Sequence, residues 1–409
     1  MPRATRPWDA FRHRDYRVLW VVLITATTVV WLRILSTSQW LFEETGSAVL
    51  VGLIGVVQLV VQIPALLWGG VLADHIDRKR LMALANGVTS AALLALGLLD
   101  ASGLLTPAAV YVGIALTAFS QMLASPARAA LVPIVIPSRQ LLLASSTDTA
   151  SQNVAAIAGP LLFAGIVAAA DLTTVFFVAA AISFVSSVVP LLVRAHGVAE
   201  SDASSSATST LTRTWEGLRY VAKHPILPGL FLLDTGITVA SFYREILPVL
   251  AVGLFAGGAS ATGLLGAANS AGAIVGSFIA LLLAGYRAKG MLVLYASLAY
   301  GFILFGFGTA TTLWAGALLI AALGAADAVT VAVRQTTVML TTPDHMRGRA
   351  FALMILAAQT ANNVGTIWVG AWAGAIGAAN TMVLAGVISV AATLLIWRWW
   401  RPIREFRSD

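Results

Sequence analysis

The run GGVLADHIDRKRLM (residues 69–82) places six ionisable side chains, Asp74, His75, Asp77, Arg78, Lys79 and Arg80, in seven consecutive positions. Long apolar runs flank this charged knot on both sides, and that contrast decides the fold. Of 409 residues 59% are hydrophobic and 11% charged, whereas about a quarter of the residues of a water-soluble globule carry charge. The chain is therefore a membrane protein. Cysteine is absent, which excludes disulfides and thiolate metal sites.

At about 20 apolar residues per crossing, the pattern predicts twelve spans, at residues 17–41, 48–72, 82–99, 106–131, 141–168, 173–193, 226–254, 261–284, 291–309, 311–335, 349–376 and 380–399. The opening MPRATRPWDAFRHRDYR (residues 1–17) is basic and lacks a small-residue cleavage site, so it reads as a retained start-anchor. With the N-terminus inside, 23 of the 25 Lys and Arg fall on the cytoplasmic side, and only Arg33 and Arg244 do not. Both termini are thus expected in the cytoplasm, with the chain in the plasma or inner membrane. The one low-complexity linker, ESDASSSATST (residues 200–210), divides the chain into a first half (1–195), a cytoplasmic linker (196–224) and a second half (225–409). After it, TWEGLRYVAKHP (residues 214–225) mixes polar and apolar residues as a helix on the membrane surface does.

Six spans followed by six invite a search for a repeat. VGLIGVVQ (residues 51–58) and TGLLGAAN (residues 262–269) stand 211 residues apart, and the same offset carries Arg33 onto Arg244 and Gln58 onto Asn269. RAALVPIVIP (residues 128–137) and RQTTVMLTTP (residues 334–343) stand 206 apart and pair Arg128 with Arg334. Two matches on equivalent spans point to internal duplication.

In the opening stretch, Gly70, Leu72, Ala73, Asp74, Arg78 and Lys79 resemble the G-x-L-a-D-r-x-G-r-k signature of the major facilitator superfamily, with His75 in place of the usual Arg and Asp77 in place of the usual Gly. FRHRDYRVLW, EETGSAVLVGL, SPARAALVPIVIP, EGLRYVAKHP and TTPDHMRGRAFA are similar to one branch, the drug and siderophore exporters typified by the enterobactin exporter and the macrolide efflux pumps. The resemblance implies an all-α membrane protein of twelve transmembrane helices in two pseudo-symmetric halves. It also implies a cytoplasmic gate in which Asp74 meets the start of span 11 near residues 348–350. Arg128 is then expected to pair with Asp74 or Asp77, and Arg334 with Asp344, beside Arg347 and Arg349.

Ionisable residues at membrane depth face the bundle interior and mark function. Arg33 and Arg244 fall in the outer half. Glu245 lies about 100° from Arg244 on a continuous helix, so Arg33 on span 1 is its expected partner. Asp234 has no basic residue within one helical turn. An isolated carboxyl in apolar surroundings is driven towards its neutral form and can take up and release a proton, which makes Asp234 the first choice as proton carrier. Asp327, seven residues from Arg334, is second, and Asp148 third. Trp31 and Tyr243 are expected to line the central cavity, and Gln58 and Asn269 to bind substrate or join helices. Gly159 and Pro160 resemble the antiporter signature that exporters of the family carry in span 5.

No paired carboxylates, metal spacing or nucleophile constellation points to an enzyme. No G-x-x-x-x-G-K phosphate loop is present, so transport draws on a gradient, and no cofactor or nucleic acid is implied. The reading is a secondary transporter, a proton-coupled exporter of a small amphipathic molecule working by alternating access, for which a monomer suffices. The alternative within the superfamily is a lysophospholipid flippase; a membrane receptor or scaffold leaves the intramembrane charges without a purpose.

Overall fold

Hydrocarbon offers backbone groups no hydrogen bonds, so a chain this apolar satisfies them within helices. The computed structural model describes residues 9–195 and 207–407; of residues 63, 66–75, 207–214 and 345 it describes the backbone alone. Among the described residues it is entirely helical: α1 (Arg14–Thr45), α2 (Ala48–His75), α3 (Arg78–Ala101), α4 (Pro107–Val135), α5 (Leu141–Ala169), α6 (Leu172–Val188), α7 (Ala207–Lys223), α8 (Leu227–Ser241), α9 (Leu247–Phe255), α10 (Ala259–Leu282), α11 (Lys289–Gly308), α12 (Leu313–Thr341), α13 (Asp344–Ile376), α14 (Ala378–Trp399) and α15 (Arg401–Glu405). Eleven segments are long and apolar enough to cross a membrane, α8 and α9 together forming one of them. The 28-residue α2 is the twelfth by length.

Local chemistry sets the ends. Thr106 and Thr312 cap α4 and α12 through their side chains, and Asp171 caps α6 by accepting from the Thr174 amide at 2.8 Å. The Thr174 hydroxyl, and after it the Thr174 amide, hold the Asp171 carboxyl below the usual carboxylate range. Asp77 caps α3, accepting from the Lys79 amide at 3.1 Å with φ −53°. No left-handed conformation is needed there, so the turn that the family makes with Gly is made with Asp.

The charged knot also contacts other helix ends. Lys79 Nζ donates to the Val193 carbonyl at 3.2 Å, and Arg78 Nη1 to the Ala130 carbonyl at 3.4 Å. The Val193 carbonyl follows the 3-10 turn Val189–Leu192 that continues α6, and Ala130 lies late in α4, so both are near helix C-termini, where partial negative charge attracts cations. Gly70 and Asp74 fall among the backbone-only residues, so the expected anchorage of Asp74 lies outside what is described.

Contacts divide the chain into two units, Met1–Glu43 with Val57–Asp202, and Glu44–Val56 with Ala203–Asp409. In the first unit α3 packs on α6 and α4; in the second its counterpart α11 packs on α14 and α12, as the repeat predicts. The first core joins Leu19 and Val22 of α1, Leu81 and Met82 of α3, and Leu123 and Leu131 of α4. In the second, glycines let helices approach: a Cβ on Gly272 of α10 would lie 1.8 Å from the Ala321 carbonyl of α12, and one on Gly370 would lie 2.5 Å from the Gly52 Cα.

The predicted span at 226–254 is not one continuous helix. It is broken between α8 and α9 by a short 3-10 turn, Arg244–Ile246. Pro248 in SFYREILP lacks an N–H, and its ring crowds the carbonyl four residues back, at Arg244. Arg244 and Glu245 thus sit in a turn, Arg244 exposed and Glu245 buried, and the 100° rule does not apply to them.

The helix α7 lies against α13, with Val221 in one cluster with Val338, Ala350 and Met354. Its end is tied by His224, whose Nδ1 accepts from the Ile226 and Leu227 amides at 3.1 and 3.2 Å at the start of α8. The other ring nitrogen faces the Thr341 carbonyl, an arrangement that fits the neutral imidazole. Burial pushes the His224 imidazole below its ordinary range, with the Thr341 hydrogen bond opposing.

Two outcomes follow. Gly272→Val is expected to destabilise the second unit by about 1–3 kcal/mol through overpacking, read as a lowered melting temperature in detergent. Gly165→Ala, with nothing within 4 Å of the new Cβ, should leave it unchanged or slightly raised. A histidine held below its unfolded value of about 6.5 contributes stability above that value and loses it as pH falls through the lower folded value. Amide exchange at Ile226 and Leu227, corrected for intrinsic rates, should therefore accelerate on acidification, and His224→Ala should remove that dependence.

Candidate functional site

In the first unit the N-terminal end of α1 lies along α5. Tyr16 and Trp20, one turn apart, present one face to it. Tyr16 Oη donates to Asp148 Oδ1 at 2.9 Å and to the Ala144 carbonyl at 3.1 Å, and Trp20 Nε1 donates to Ser151 Oγ at 2.7 Å. Arg128 of α4 completes the arrangement, its Nη2 donating to Asp148 Oδ2 at 2.8 Å. The expected partner of Arg128 was Asp74 or Asp77; the acid it meets is Asp148, because α4 and α5 follow one another and face at this depth. Asp148 is therefore neither solvated nor alone.

Beside this pair is a cavity of about 170 Å³ walled by α1, α3, α4, α5 and α6, with Arg33, Asn86, Gln121, Gln152 and Arg128 among its polar lining. Trp31 lies outside that lining, buried at 7% exposure. A Cβ on Gly159 would lie 2.7 Å from the Trp31 Cβ, so the Gly159-Pro160 step of α5 lets α1 approach closely there. Gln58 is half-buried on α2 and lines neither cavity described here.

The second unit holds a cavity of about 190 Å³ lined by Asp234, Tyr243, Arg244, Asn269, Asp327 and Arg334, with other residues between them. Asp234 of α8 forms an ion pair with Arg334 of α12. The sequence left Asp234 isolated and gave Arg334 to Asp344 or Asp327. Both expectations are corrected: Asp344 pairs instead with Arg347 at 2.7 Å, one turn on in α13. The pairing of Asp234 with Arg334 is long-range and has no local signal. Arg349 bridges α13 to α7, donating to Glu216 at 2.7 Å.

Asp327, two turns before Arg334 on α12, lies in the same cavity within electrostatic reach of Arg244. Arg244 itself follows the C-terminus of α8, where a cation is favoured. Tyr243 is buried and its hydroxyl accepts from Asn269 Nδ2 at 2.6 Å, while Tyr300 and Ser241 hydroxyls meet at 3.2 Å. The broken span thus brings the α8 end, α10 and α12 to one polar pocket. Tyr300 and Ser241 escaped the sequence reading, since neither stands in a charged or repeated motif.

Removing one partner of a buried ion pair leaves an uncompensated charge. Arg128→Met is expected to cost about 3–5 kcal/mol of stability, and the double variant Arg128→Met/Asp148→Leu to recover most of it, checked by thermal unfolding in detergent.

Three comparisons with known proteins bear on this geometry. The model of the transmembrane secretion effector family matches residues 5–408. The chain is 26% identical to the enterobactin exporter EntS of Citrobacter koseri, over 97% of this chain and 92% of that protein. It is likewise 26% identical to the same exporter of Shigella boydii, over 94% and 88%. In fold it is similar to the nucleoside transporter NupG (TM-score 0.72, 14% identity, 94% of this chain and 99% of that one). A POT family transporter in complex with 5-aminolevulinic acid gives 0.73 at 12% identity, covering 96% and 97%. A bacterial homologue of the human lysosomal transporter Spinster gives 0.71 at 14%, covering 98% and 99%. The chain belongs to the transmembrane secretion effector family and is a multi-pass membrane transporter of the major facilitator type, not an enzyme.

Proposed function

We propose that the protein is a proton-coupled exporter of a small amphipathic molecule, working by alternating access in the plasma or inner membrane with both termini in the cytoplasm. The observation that carries this reading is the Asp234–Arg334 ion pair inside a polar cavity that also holds Asp327. A proton on Asp234 removes the charge that Arg334 neutralises. The guanidinium is then left with Asp327 as the other carboxylate in the cavity, two turns away on its own helix. Protonation and charge pairing thereby bias one bundle between two arrangements, which a gradient needs in order to drive movement.

The concentration of Lys and Arg on one side supports the orientation. The charged turn between α2 and α3 belongs, in this reading, to the cytoplasmic gate. Its Arg78 and Lys79 already bind carbonyls near helix ends, contacts that can be made and broken. The exporter relatives make a siderophore the first substrate to test.

The experiment measures accumulation of a macrolide, a tetracycline, a cationic dye and a catecholate siderophore in pump-deficient cells, with and without an uncoupler. The wild-type protein is expected to lower accumulation of at least one compound only in energised cells. Asp234→Asn should slow that efflux by about tenfold or more. Full uncoupler-sensitive efflux by Asp234→Asn sinks the assignment of the proton to this pair.

A further inference from the structure

We propose that the cavity inside the first unit is the binding site for an organic anion, whose charged group is held by Arg128 with Gln121 and Gln152 and whose apolar body lies along α1 towards Arg33. The inference rests on the reading of the protein as a transporter of a small amphipathic molecule and names the class of that molecule.

The two cavities differ in charge. The one in the second unit holds two carboxylates and two guanidiniums, whereas the lining of the first holds Arg33 and Arg128 and, among the described residues, no carboxylate. Beside the hydroxyls of Thr and Ser residues, its neutral polar lining includes the amides of Asn86, Gln121 and Gln152, of which Asn86 Nδ2 already donates to the Ser186 carbonyl at 3.1 Å. Arg128 is only partly used by the protein: Nη2 serves Asp148, while Nη1 is buried without a hydrogen-bond partner among the described residues. A buried donor left unmade is costly. An acceptor from a ligand removes that cost, and an anion answers the planar fork best.

The shape of the cavity gives the rest. Its lining on α1 runs from Val22 to Arg33, about 16 Å at 1.5 Å per residue, and on α4 from Thr117 to Arg128. Val22 packs in one cluster with Leu123 and Ala127, so Arg128 stands at the Val22 end of the cavity and Arg33 at the other. Between them the wall is Leu23, Ala26, Val29, Val30 and Met82, which suits an apolar or aromatic body. The cavity thus joins an apolar stretch of wall to placed polar groups, the combination that orients an amphipathic small molecule.

The test uses the full chain in lipid nanodiscs and a matched pair of probes, radiolabelled 1-naphthoate and its uncharged amide, 1-naphthamide. The wild type is expected to bind the acid at least about tenfold more tightly than the amide at neutral pH. The charge-neutral pair Arg128→Gln/Asp148→Asn should lose most of that preference without weakening the amide, while Arg33→Gln, at the far end of the cavity, should keep it. The paired replacement removes both charges of the ion pair together, and monodisperse elution checks that it is folded. Equal affinity for acid and amide in the wild type overturns the proposal, as does a preference that survives the paired replacement or one that Arg33→Gln alone abolishes. Binding needs no gradient, so the two readings fail separately. Intact anion preference without proton-driven efflux defeats the coupling reading alone, and proton-driven efflux without anion preference defeats this one.

Discussion

An ionised side chain at membrane depth costs about 2.5–3.5 kcal/mol by insertion scales, and more when it lacks a partner. Each unit is arranged around that cost. Arg128 meets Asp148, and Arg334 meets Asp234, so that two guanidiniums and two carboxylates are held inside the bundle as pairs. The pairs fix which helix faces turn inward. Around each of them lies a polar cavity, because the remaining donors and acceptors of the pair require neighbours able to hydrogen-bond.

The duplication makes the pairs instructive. Arg128 and Arg334 are counterparts under the repeat, yet one takes its carboxylate from α5 and the other from α8. In the first unit α1 contributes a tyrosine hydroxyl to Asp148 instead of an acid. The α8–α9 break supplies the second departure, since α1 runs unbroken through the level of Arg33 while the second unit turns at Arg244. The helix packing that frames these sites keeps its symmetry, with α3 against α6 and α11 against α14. A bundle needs the same packing in both halves in order to bury its glycine faces, but a transporter has no need of the same chemistry in both. Half-helix ends at a broken span are favoured places to hold charged groups in transporters.

In the turn between α2 and α3 the logic is dipolar. Residues 77–79 of the knot bind backbone groups: Asp77 caps α3, while Arg78 and Lys79 donate to the carbonyls of Ala130, late in α4, and Val193, after the turn that follows α6. The joint between α7 and α8 uses the same principle with a neutral imidazole, His224, as the acceptor. Such contacts are individually weak, which suits elements that must rearrange while the hydrophobic cluster of Val221 with Ala350 and Met354 holds α7 in place.

Legible in the sequence by itself were the apolar spans, the uneven distribution of Lys and Arg along the chain, the repeat that aligns Arg33 with Arg244 and Arg128 with Arg334, and the charged motif between α2 and α3. These are local or periodic properties: hydropathy adds along a window, and a motif lies in consecutive residues. It also placed Asp234, Asp327 and Asp148 at membrane depth. Their partners belonged to the tertiary structure alone. Which carboxylate Arg334 reaches depends on how close α12 comes to its neighbours, and that approach is set by contacts such as Gly272 against the Ala321 carbonyl, far along the chain from either charge. The break at Arg244 stood in between, with its cause visible in Pro248. Prolines at 64, 126, 133 and 160 sit inside unbroken helices, so the ring alone does not decide, and the packing around it does.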